Sequence, residues 1–127
     1  MILLDSQAAL WVMSDSPRLG PLARAAIVRS PVTHVSAASV WELTIKAMLG
    51  RLDLPAGFPA RVAEQGLALL DVTADHAEAL RQFPEMVRHD PFDRLIVAQA
   101  YVDGLQLLTA DRVLLGLERD FVVDARV

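Results

Sequence analysis

Five short apolar runs recur along this 127-residue chain: MILL (1–4), VTHVS (32–36), ALLDV (68–72), LQLLTA (105–110) and FVV (121–123). Helical patterns separate each from the next. Strands that alternate with helices are joined by crossovers, and crossovers build a parallel sheet with helices on both faces. A sheet covered on both faces has strands that are apolar throughout, which accounts for a composition that is 54% hydrophobic. The class is therefore α/β with about five strands, and the length suits one domain spanning 1–127.

The intervening segments set the helix limits. A short helix is expected from about Gln7 to Met13, and an Ala- and Leu-rich one near 20–29. SVWELTIKAMLG predicts a helix beginning near Ser39 and stopped by Gly50. A modest helix leads up to Gly66, and TADHAEALRQFP reads as a helix capped by Thr73 or Asp75 that ends before Pro84. DPFDRLIVAQAYVDG predicts a long buried helix from Asp90 to Gly104, and DRVLLGL a short one. There is no internal repeat or low-complexity tract.

Several function classes are set aside by what the chain lacks. It has no cysteine, hence no disulfide framework and no thiolate metal site. The start is apolar but has no basic leader region and is interrupted by Asp5, Ser6 and Gln7, so it does not read as a signal peptide. No stretch reaches the ~18 unbroken apolar residues of a membrane span. A soluble, cytoplasmic protein is expected. No glycine-rich phosphate loop and no Ser-His-Asp order is present. The net charge of −4 argues against a broad basic surface for nucleic acid. It is compatible with one acidic pocket: with four of the 16 acids gathered there, the other 12 balance the 12 basic residues.

The acids interrupt the alternation at telling places. Asp5 follows the first strand and Asp111 the fourth, at the carboxyl edge where open α/β sheets bind ligands. Glu42 and Asp93 are expected in the first turns of helices whose starts face that edge. Each has a local alternative. Asp5 can be a turn acid beside a Ser6 cap; Ser39 and Glu42 form a capping box, with Glu42 also placed to pair with Lys46. Asp90, Pro91 and Asp93 fit cap, N1 and N3, and Asp111 can cap the short helix after it. Four acids at one edge would nevertheless repel unless a cation or a proton intervenes, and an oxygen-only set suits Mg²⁺ or Mn²⁺. Such ions activate water against a phosphodiester. His34 reads as a half-buried strand residue, His76 and His89 as solvated, and Trp11 and Trp41 as core or interface anchors.

At these residues the chain resembles the PIN-domain ribonucleases, specifically the VapC-type toxins of toxin–antitoxin pairs. The resemblance rests on LLDSQAALW, VSAASVWELTIKAMLGRLDLP, HDPFDRLIVAQA and LLTAD, in that order, and covers nearly the whole chain. It implies a three-layer α/β/α sandwich, RNA cleavage with Mg²⁺ or Mn²⁺, a homodimer, and a cognate antitoxin over the active site. It also implies that Asp5, Glu42, Asp93 and Asp111 are the catalytic metal ligands, with Asp90 chiefly the helix cap and Ser6 the hydroxyl after the first aspartate. Gln7 departs from the His frequent at that position. Lys46, Arg51, Arg88 and Arg94 are candidates for the RNA backbone. Two other readings fit the acids: a non-catalytic α/β protein-binding module in which they only cap helices, and a phosphoacceptor domain. The latter wants paired acids after the first strand, where LLDSQ offers one.

Overall fold

The computed structural model describes all 127 residues. Five parallel strands form one sheet: β1 (Ile2–Leu4), β2 (Thr33–Ser36), β3 (Ala68–Leu70), β4 (Gln106–Thr109) and β5 (Val122–Asp124), in the order β3-β2-β1-β4-β5. The helices are α1 (Ser6–Met13), α2 (Pro21–Arg29), α3 (Ala37–Met48), α4 (Phe58–Glu64), α5 (Ala74–Glu78), α6 (Pro91–Asp103) and α7 (Arg112–Leu115). Two 3₁₀ turns, Ala79–Gln82 and Pro84–Met86, link α5 to α6. None of the helices is long and apolar enough to cross a membrane.

The central strand explains the layering. In β1, Leu3 pairs in register with His34 of β2 and Leu107 of β4. Strand side chains alternate between faces. Ile2 and Leu4 therefore enter one core with Val35, Leu108, Trp11 and Phe58, while Leu3 enters the other with Leu107, Ile96, Val97 and Phe83. Helices α1 to α4 cover the first face, and α6, α7 and the 3₁₀ turns the second. Both cores are close to dry, with Leu3, Leu4, Leu107 and Leu108 all 0% exposed. Burying each such side chain contributes about 1.5–3 kcal/mol.

Two expectations are corrected. The helix expected from Thr73 to Phe83 is α only over Ala74–Glu78 and then tightens to 3₁₀. His76, expected in solvent, is buried: its Nδ1 accepts from the Thr73 N–H at 3.0 Å, and its Nε2 stands 3.2 Å from Asp103 Oδ1. Trp11 joins the core as expected, while Trp41 is 61% exposed and its ring stands at 81° to that of Phe92. His34 is half-buried, with Nδ1 3.1 Å from the Ile2 carbonyl oxygen, as a satisfied strand histidine should be.

Candidate active site

Because all five strands are parallel, their carboxyl ends share one edge, and there Asp5 and Asp111 emerge from adjacent strands. Asp5, 6% exposed, is itself the cap of α1: Oδ1 accepts from the Ala8 N–H at 2.7 Å. That leaves Ser6 free of the capping role expected of it, and its hydroxyl donates instead to Glu42 Oε1 at 2.5 Å. Asp111 caps α7, accepting from the Val113 and Leu114 N–H groups. Thr109 ties the two acids together. Its hydroxyl donates to Asp5 Oδ2 at 2.5 Å while accepting from the Asp111 N–H at 3.0 Å. Sequence reasoning overlooked Thr109; the available signal was a hydroxyl two residues before an acid at a strand end.

Glu42 and Asp93 come from helices. Strand β2 runs into α3 without a loop, so Ser36 both ends the strand and caps the helix, accepting from the Ala38 N–H at 3.0 Å. The expected Ser39 cap is therefore wrong, and Glu42 lies in the second turn rather than the first. Ser39 is buried inside the helix with its hydroxyl unpartnered. Glu42 does pair with Lys46, at 3.2 Å. Asp93 occupies the first turn of α6 as expected, with Asp90 as cap accepting from the Phe92 and Asp93 N–H groups at 2.9 and 3.2 Å.

These four acids line one cleft of about 430 Å³ together with Ser6, Gln7, Lys46 and Arg51. Lys46 and Arg51 thus belong to its wall. Arg88 and Arg94 do not; Arg94 donates to the Val87 carbonyl at 2.9 Å. Burial pushes the Asp93 carboxyl up from 3.8 to about 7, helped by the negative charges of Asp111, Asp90, Glu42 and Asp5. Burial also raises Asp5, against the opposing hydrogen bonds from Thr109 and Ala8. No three His, Asp or Glu side chains are already drawn into a ligand cluster. Asp5, Glu42 and Asp111 are each held by hydrogen bonds to their own surroundings. The donor set nonetheless fits a hard divalent cation: carboxylate oxygens only, partly desolvated, and mutually repulsive without a counter-charge.

The PIN domain family model matches residues 2–119. Ribonuclease VapC22 of Mycobacterium tuberculosis is 34% identical over 115 residues, 87% of each chain. Among solved structures, a toxin–antitoxin complex from Klebsiella pneumoniae matches with TM-score 0.66 at 18% identity, over 98% of both chains. VapC20 of M. tuberculosis, described as a sarcin-ricin loop cleaving toxin, matches with TM-score 0.55 at 22% identity, over 96% of this chain and 98% of that one. At such identities the structures speak to the fold, and the fold agrees. The sequence matches, which run through nearly the whole chain, carry the conclusion: this chain belongs to the PIN-domain family, alongside its VapC-type ribonucleases.

Proposed function

We propose that the chain is a divalent-metal-dependent endoribonuclease of the toxin–antitoxin kind, acting in the cytoplasm and restrained by a cognate antitoxin. The observation that carries the reading is the meeting of Asp5, Glu42, Asp93 and Asp111 from four separate elements in one cleft. Its relative VapC22 is named a ribonuclease, and its structural neighbours include VapBC assemblies, one of them bound to promoter DNA. A second copy of the chain and the antitoxin are the protein partners of this reading.

Asp5, Asp93 and Asp111 would hold the cation and Glu42 would orient the attacking water. When bound, Mg²⁺ or Mn²⁺ supplies an activated water and neutralises charge developing on the phosphate. The chain's own residues do the rest. Thr109 keeps one oxygen of Asp5 aimed, and Ser6 fixes one oxygen of Glu42. Lys46 and Arg51, on the cleft wall, face the backbone of an RNA lying across it. In-line attack by water leaves 5′-phosphate and 3′-hydroxyl ends.

The test is incubation of purified, antitoxin-free protein with a mixed RNA pool, with Mg²⁺, Mn²⁺ or chelator, and Asp93→Asn beside wild type. Metal-dependent cleavage that the variant loses supports the reading. Products ending in 2′,3′-cyclic phosphate would sink the water mechanism. An inert, well-folded wild type that is also harmless when expressed in cells would return the chain to the class of binding modules.

A further inference from the structure

Two contacts tie α3, and the end of β2 that runs into it, to α6. At the start of α3, the Ser36 hydroxyl donates to Oε1 of Gln99, late in α6, at 2.5 Å. More than a turn further along α3, Trp41 meets Phe92 near the start of α6, with ring centroids 5.4 Å apart and planes at 81°. The two contacts come in opposite order along the two segments. Glu42 adjoins Trp41 and Asp93 adjoins Phe92, so both acids sit beside the outer contact. Glu42 lies six residues after Ser36, the cap of its helix, and Asp93 six residues before Gln99 in α6, about 9 Å along the axis.

The Ser36–Gln99 contact is not explained by burial of apolar surface. Gln99 is 0% exposed in a run of buried apolar residues, Ile96, Val97, Ala98 and Ala100. An apolar side chain there would pack without the cost of desolvating an amide. The amide is instead used at both ends, its Nε2 donating to the Asp71 carbonyl just beyond β3 at 3.2 Å. Satisfied buried polar groups specify one arrangement of the elements they join. Trp41 is mostly exposed, yet its ring is set edge-on to Phe92, an orientation aromatic pairs favour.

We infer that the Ser36–Gln99 and Trp41–Phe92 contacts are two struts that set the spacing of α3 and α6, and with it the separation of Glu42 from Asp93. Gln99 and Trp41 are positioning residues for the metal-binding cleft. The inference rests on the proposed function in so far as those two acids serve a cation.

The experiment uses the full chain, with Mn²⁺ affinity from calorimetry on metal-free protein and kcat and KM on an RNA oligomer, for Gln99→Met, Trp41→Ala and Trp41→Phe. Gln99→Met and Trp41→Ala should each weaken Mn²⁺ binding about tenfold and lower kcat, with KM for RNA within twofold of wild type. Trp41→Phe, which keeps an edge-to-face ring, should restore both. Trp41 is exposed, so Trp41→Ala carries the test if Gln99→Met fails to fold. Mn²⁺ affinity and kcat within twofold of wild type in folded Trp41→Ala would overturn the inference, even with a lowered Tm. So would a raised KM alone, which would make Trp41 a platform for an RNA base. A wild type that cleaves and binds Mn²⁺ beside unaffected variants defeats the struts only; one that binds no Mn²⁺ defeats the metal site and the struts together.

Discussion

Asp93 keeps its proton up to about pH 7 in the folded chain but releases it near 3.8 when unfolded. Between those values the native state binds more protons, so the metal-free protein loses stability as pH rises through this window. The stabilisation is complete below about 3.8 and gone above 7. Discounted for solvent screening of a half-buried carboxyl, the loss is about 1 kcal/mol between pH 5.5 and 8. Thermal melts in chelator at the two pH values check it. Asp93→Asn should flatten that profile and melt higher at pH 8, while cleavage falls at least about 100-fold. A folded, stabilised and inactive variant separates chemistry from scaffold. Thr109 makes the opposite case. Thr109→Val strips Asp5 of a buried hydrogen bond and should cost about 1–3 kcal/mol. Denaturant titration of the variant beside wild type decides it. Of Thr109 the sequence offered only a hydroxyl two residues before Asp111, and of His76 nothing that points to Asp103. Their roles depend on Asp5 and Asp103, far along the chain, and local patterns carry no such information.

At the scale of elements, α6 was the most legible. Its limits were written in Asp90, Pro91 and Gly104, and the helix spans Pro91–Asp103, with Gly104 at φ 65° in the left-handed region. The start of α3 was less so, since Ser36 and Ser39 are both plausible caps. The choice was made by β2 running straight into the helix, a matter of sheet register rather than local sequence. Asp90 shows how a cap and a site acid are told apart. Asp90→Ala should cost about 1 kcal/mol by freeing two N–H groups at the head of α6, and Asp90→Ser should restore most of it. If Asp90 only caps, Asp90→Ser cleaves RNA near the wild-type rate; a variant that is stable yet slow would assign it to the chemistry.

For the molecule as a whole, the proposed function makes the crowding of four acids in the cleft a cost of the metal-free state that a bound cation would remove. Mn²⁺ at about a hundred times its dissociation constant should stabilise the fold by ~2.7 kcal/mol, seen as a Tm that rises with metal and falls back with chelator. Asp5→Asn and Asp93→Asn should abolish the rise. The layered architecture behind this was readable because five apolar runs separated by helices admit few arrangements. The strand order was not, since nothing local says that the first strand lies in the middle.

That central place has a consequence in time. Strand β1 is made before the other four, yet one of its two neighbours is β4, and the acid at its tip, Asp5, waits for Thr109 and Asp111. A chain still in synthesis therefore holds Asp5 without the hydroxyl that aims it and without its partner across the cleft. Strand order thus becomes order in time: the hydroxyl and the acid that complete the surroundings of Asp5 follow it in synthesis by more than a hundred residues.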